Sequence, residues 1–230
     1  MTEEHPWKHP ISGESGFIDL ILLHESETQV LVIDCKRVRD SQWIFLIPSD
    51  NPREQTYAKS WTAYPPKWFG WVDRHLEPAS FGSSFCVVPG QDPKAKPMLE
   101  RTASIIVEAT EAFAMEEQSL GVPRTGHLRT YFSVIVTTAD LKICRFNPQE
   151  IDIKSGDITK CEFEEVPVIR FRKSLTARYE KPSSKDIAEA FREKERTVFV
   201  VNSVSFIDFL NQWKIGALPA VLQEHLPKRQ

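Results

Sequence analysis

Residues 16–37, GFIDLILLHESETQVLVIDCKR, constrain the fold more than any other stretch of this chain. Two apolar runs flank a short polar segment, the pattern of two strands joined by a tight turn. Each run is broken by one aspartate, Asp19 in the first and Asp34 in the second. A turn centred on Ser26-Glu27 pairs His24 with Gln29, Leu22 with Leu31 and Asp19 with Asp34. Directly opposed residues share a sheet face with Cβ atoms ~4.5–5.5 Å apart. Lys36 falls on the same face, ~7 Å further along the strand.

Two facing carboxylates repel, and an apolar strand such as VLVID raises the cost of ionising them. A divalent cation between them removes the repulsion. Mg²⁺ suits the pair because it takes oxygen ligands and keeps several waters, and Mn²⁺ can substitute. The backbone carbonyl of Cys35 is a natural further ligand, with Glu14 as an additional acid. Lys36 could orient or deprotonate a water, or neutralise charge on a phosphorane. The competing reading is that both aspartates sit at strand ends facing water, with Lys36 as a surface ion pair.

GFIDL followed by VLVIDCKR resembles the PD-(D/E)XK nuclease superfamily, whose fold is restriction-endonuclease-like. The resemblance implies an α/β core in which a helix packs across a mixed β-sheet. It makes Asp19 and Asp34 metal ligands, Lys36 the catalytic lysine and DNA the substrate. Members usually carry a helix before the first strand, often with a glutamate aimed at the metal. Here few residues precede Gly16, and Glu3, Glu4 and Glu14 stand on no recognisable helix.

The rest of the chain reads as one α/β domain. Residues 38–97, rich in proline and aromatics and without a sustained period, are expected to form an ordered insertion with short helices. Within it, REQTYAKSW offers Gln55, Tyr57 and Lys59 where the superfamily often places a helix near the scissile phosphate. Trp61, Tyr64, Trp68, Phe69 and Trp71 read as the insertion's own core, or as stacking platforms for bases. The clearest helix starts near Pro97 and stops before Gly121, with Leu99, Ala103, Ile106, Ala109, Phe113 and Ala114 on one face. Strands are expected over 131–137 and 141–146, a turn at Ser155-Gly156, and another strand within EEVPVIRFRKSL. A capped helix over SSKDIAEAFREKERT, a buried strand VFVVN and a helix from Ser203 complete the chain.

Basic residues gather at Arg37 and Arg39 and again at Arg170, Arg172, Lys173, Arg178 and Lys181. Alternation of Arg170 with Arg172 would present one basic strand face to a polyanion, unless it is merely a solvated charged face. The formal net charge of −3 argues against a protein that coats nucleic acid through bulk charge. The four cysteines form no CxxC pair and the six histidines no HExxH, so neither a zinc site nor a disulfide framework is expected. No glycine-rich phosphate loop points to a nucleotide cofactor, and no GxSxG points to a serine hydrolase. No apolar run approaches the ~20 residues of a membrane helix, and the acidic N-terminus lacks a signal peptide's apolar core.

The expectation is a cytoplasmic, Mg²⁺-dependent DNA endonuclease of restriction or defence type, with a homodimer or a partner subunit left open. The alternatives are a catalytically inactive or partner-dependent DNA-binding module of the same fold, and a protein that recognises another protein through its aromatic insertion.

Overall fold

A computed structural model describes residues 1–50, 53–92, 96–151, 158, 160–175 and 186–216. In chain order the elements are β1 (Thr2–Lys8), β2 (Ser15–Leu23), β3 (Gln29–Lys36), β4 (Gln42–Pro48), β5 (Gln55–Tyr64), β6 (Trp68–Ser80), β7 (Gly82–Ser83), β8 (Cys86–Val87) and α1 (Met98–Ser119). They continue with β9 (Arg129–Thr137), β10 (Asp140–Phe146), β11 (Cys161–Glu165), β12 (Val168–Ser174), α2 (Ile187–Lys194), β13 (Glu195–Asn202), α3 (Phe206–Gln212) and β14 (Lys214–Ile215).

The strands form two mixed sheets. The first runs β1-β2-β3-β9-β13-β12-β7, with β5 pairing β9 and β6, and β14 pairing β6. Its N-terminal strands are antiparallel, whereas β3, β9 and β13 run parallel. A parallel neighbour needs a crossover, and the residues between β3 and β9 supply one that contains α1. The second sheet, β11-β10-β4-β8, pairs β10 with β4 in parallel.

Alternation along the central strands builds two cores, one on each face of the first sheet. Val30, Val32, Tyr131 and Ile135 face α1 and the inner side of the second sheet, meeting Leu99, Ala103, Ile106, Trp43, Phe45 and Ile143. Leu31, Ile33, Phe132, Val134 and Phe199 face the other way, onto Phe209, Leu210 and Trp213. The helix behaves as its periodicity predicts. It starts after Pro97, and Gly121 (φ +77°) turns the chain out of it, donating its amide to the Gln118 carbonyl at 3.0 Å. Glu111 of α1 joins this buried face. It is buried, takes the Trp71 Nε1–H at 3.4 Å, and lies 3.6 Å from Nε2 of the fully buried His9.

Two expectations are corrected. Residues 38–97 carry strands rather than short helices, because β4 founds the second sheet and β5–β6 form a long hairpin that joins the first. Trp61, Phe69 and Trp71 of that hairpin belong to the main core: Trp61 packs edge-to-face on Trp71 at 5.6 Å, in the cluster that α1 covers. At the N-terminus Glu3 and Glu4 stand on β1, which pairs antiparallel with β2, and on no helix, as the sequence indicated. The expected turn at Ser155-Gly156, the basic Arg178 and Lys181, and the cap before α2 lie outside the described residues. No helix among the described residues is long and apolar enough to cross a membrane.

Candidate functional site

The turn between β2 and β3 sets the register of everything that follows. Glu27 adopts φ +57°, its amide bonds the His24 carbonyl at 2.8 Å, and the His24 amide bonds the Gln29 carbonyl at 3.0 Å. The ladder then pairs Leu23 with Val30, Leu22 with Leu31, Ile21 with Val32 and Leu20 with Ile33. This is the register expected from the sequence, and it stops one pair short of Asp19 and Asp34.

The stop has a local cause. Ile18 and Ile21 both belong to the core on the α1 side, although strict alternation would put them on opposite faces. The β1–β2 pairing also skips Asp19, opposite which Glu4 takes φ +51°. Strand β2 is therefore irregular between Ile18 and Ile21, and the Asp19 side chain does what its backbone does not. Its Oδ2 accepts the Cys35 amide hydrogen at 2.6 Å.

On β3 the alternation stays regular, so Asp34 and Lys36 follow Val30 and Val32 toward the α1 side. Their partners on β9 are Ile135 and Thr137. Lys36 Nζ donates to Asp34 Oδ1 at 2.8 Å, while Asp34 Oδ2 is buried and has no hydrogen-bond partner among the described residues. Burial raises the Asp34 carboxyl above its ordinary range; the bond and charge of Lys36 pull it down, and the Asp19 charge pushes it up again. The Cys35 thiol between them is raised by burial and then by both carboxylates, so the two negative charges converge here. Lys36 is held from the joint after β9: the Thr138 amide bonds its carbonyl at 3.2 Å, and the Thr138 hydroxyl bonds both the amide (2.9 Å) and the carbonyl (2.7 Å) of Val38. Thr138 was not singled out from sequence, where its only signal is its place in the joint after a buried strand.

The other candidates are dispersed. Glu14 is exposed and lines a separate cleft with Trp7, Lys96, Arg101 and Glu108, which includes neither aspartate. Arg37 and Arg39 are exposed on the segment leaving β3 beside Lys36. Gln55, Tyr57 and Lys59 stand on strand β5, not on a helix. Gln55 takes a hydrogen bond from Arg172 of β12 at 2.6 Å, three strand positions from β3 and so about 14 Å across the sheet. Tyr57 packs edge-on to His75, and Lys59 pairs with Asp73 at 3.0 Å.

Among the described residues, Arg170 and Arg172 do not form the expected basic strand face. Arg170 is fully buried and donates to Ser80 Oγ and to the carbonyls of Leu76 and Pro78 at 2.5, 2.7 and 2.9 Å. Arg172 also pairs with Glu195 at 2.8 Å, and Lys173 pairs with Glu100 beside the Phe85 ring. Arg170 is thus an interior residue, while Arg172 and Lys173, about a quarter exposed, are each tied to a carboxylate of the protein.

Among the described residues no group of three or more His, Cys, Asp or Glu side chains could hold a metal ion. A cation at Asp19 and Asp34 would have two carboxylates and would complete its shell with carbonyls or water, which Mg²⁺ accepts readily. The Asp34 Oδ2 fits that role, being an acceptor that no donor among the described residues satisfies. Comparison with protein-family models, with curated proteins and with solved structures finds no match.

Proposed function

We propose that the protein is a metal-dependent DNA endonuclease with a restriction-endonuclease-like core, its site formed by Asp19, Asp34 and Lys36. The observation that carries this reading is the buried Asp34 Oδ2, left without a donor beside a second carboxylate and an ammonium group. A helix beside a mixed sheet whose β2–β3 hairpin carries D and D-x-K supports the same reading.

Asp19 and Asp34 would hold Mg²⁺ or Mn²⁺, with the Cys35 carbonyl as a further ligand. The ion supplies a water of lowered pKa and Lewis-acid stabilisation of phosphate charge. Lys36, with its side chain 38% exposed, is reachable by a phosphodiester, and releasing Asp34 would free its ammonium group for the phosphate oxygens. Asp19 also fixes the backbone at Cys35, which keeps the carboxylates in register. Arg37 and Arg39 extend positive charge from the site and suit approach by a phosphate backbone.

The test is incubation of the purified chain with supercoiled, linear and single-stranded DNA in Mg²⁺ or Mn²⁺. Cleavage lost in both Asp34→Asn and Lys36→Ala is the expected result. Absence of cleavage on every DNA form, or cleavage that both variants retain, sinks it. One observation favours the second reading, an inactive or partner-dependent DNA-binding module: among the described residues no third acid joins Asp19 and Asp34 in a group that could hold a metal ion. That module would bind DNA equally well after Asp34→Ala.

A further inference from the structure

The second sheet carries two thiols side by side, and neither belongs to the nuclease reading. In the β10–β11 ladder Cys144 pairs with Phe163 and Phe146 with Cys161. Directly opposed residues share a face, so Cys144 and Cys161 are diagonal neighbours on one side of the sheet. Leu141 and Ile143 point into the core, which places this pair on the outer side. All four cysteines are free. Cys86, on β8, is two strands from β10 and so about 10 Å across the sheet, and Cys35 belongs to the first sheet.

The two neighbouring thiols differ in access. Cys161 is half-buried and lines a cleft of about 880 Å³ with Arg145, Asn147 and Lys160. Cys144 is only 3% exposed and closed to a solute. Burial, and next the Cys161 thiol beside it, push the Cys144 thiol up to about 11, so it stays protonated at neutral pH and is a poor first nucleophile. Strand β11 is an edge strand held by β10 alone, and Cys161 is its first residue. A shift of that strand end closes the diagonal from ~7 Å between Cβ atoms to the ~4 Å of a disulfide.

We propose that Cys161 and Cys144 form a dithiol that responds to small hydroperoxides, with Cys161 meeting the oxidant and Cys144 resolving it. The Cys161 thiolate attacks a peroxide oxygen. An S–O bond forms, the O–O bond breaks, and the hydroxide released takes up the proton the thiol gave. The Cys144 sulfur then attacks the Cys161 sulfur. The S–S bond forms, the S–O bond breaks, and the Cys144 proton leaves with the hydroxyl as water. Two thiols are oxidised and one hydrogen peroxide is reduced to two waters. The disulfide ties the edge strand β11 to β10, and the inference does not depend on nuclease activity.

The test treats the full chain, freed of reductant, with hydrogen peroxide under native conditions. Remaining thiols are then alkylated and the peptides mapped by mass spectrometry. The expected result is an intact mass lower by two hydrogens, a linked peptide pair carrying Cys144 and Cys161, and return of both thiols with dithiothreitol. In Cys144→Ser the sulfenic acid on Cys161 should persist, be captured by dimedone and give no linked pair. Oxidation of Cys161 to the sulfinic acid without a linked pair in the wild type overturns the proposal. So does a disulfide joining other cysteines in its place, or an unreactive Cys161. Should Cys144→Ser fail to fold, Cys161→Ser serves instead, at the more exposed of the two positions. Cys144 should then lose its reaction with peroxide, and its oxidation at the wild-type rate would overturn the assigned order.

Discussion

The Asp19 carboxylate accepts the Cys35 amide hydrogen at 2.6 Å, at the point where the β2–β3 backbone ladder has already ended. One side chain thus replaces a ladder bond and at the same time brings a negative charge beside Asp34. Structural and candidate catalytic duties meet in one residue, and mutations can separate them.

Asp19→Ala removes a charge-assisted bond to a backbone amide. Because Asp19 is only partly buried, the loss should be about 1–2 kcal/mol in urea denaturation. Asp19→Asn keeps an acceptor and should lose less than half of that.

Asp34 gives a pH signature of defined sign. Its carboxyl is raised in the folded state, chiefly by burial. The folded protein therefore holds the proton more tightly than the unfolded chain, and stability falls as pH climbs from about 3.8, the ordinary aspartate value, through the raised folded value. In chelator-treated buffer Asp34→Asn should match the wild type below that window and exceed it above. Denaturation of both proteins from pH 3 to 7 measures the difference, and parallel curves would mean that Asp34 carries no uncompensated burial.

Metal should offset the same cost. With Mg²⁺ or Mn²⁺ at ten times Kd the wild type should melt about 3–5 °C higher, while Asp34→Asn should not respond. A rise of equal size in both proteins would place the ion elsewhere.

Arg170→Met should destabilise the fold by roughly 2–4 kcal/mol, because the carbonyls of Leu76 and Pro78 lose a buried donor. DNA affinity of the folded fraction should stay unchanged in a gel-shift titration, since Arg170 reaches no surface. Weakened binding would return Arg170 to the nucleic-acid interface.

The sequence by itself determined what short-range chemistry dictates. Pro97, Gly121 and the 3.6-residue spacing between them delimit α1, and the polar turn at Ser26-Glu27 between apolar runs sets the β2–β3 register. The same register predicts Asp19, Asp34 and Lys36 as neighbours, and their charges do converge at Cys35. Tertiary structure decided the rest, for reasons that no local pattern carries. Residues 42–87 lack a clean period because their strands are buried on both faces in part and contribute to two sheets, so strand formation there depends on distant partners such as β9 and β10. Alternation put Arg170 and Arg172 on one face of β12 but could not say which face. The carbonyls of β6, some ninety residues earlier, make Arg170 an interior residue. Nor could spacing reveal that β2 is irregular at Asp19, because that irregularity answers to packing of Ile18 and Ile21 into the same core.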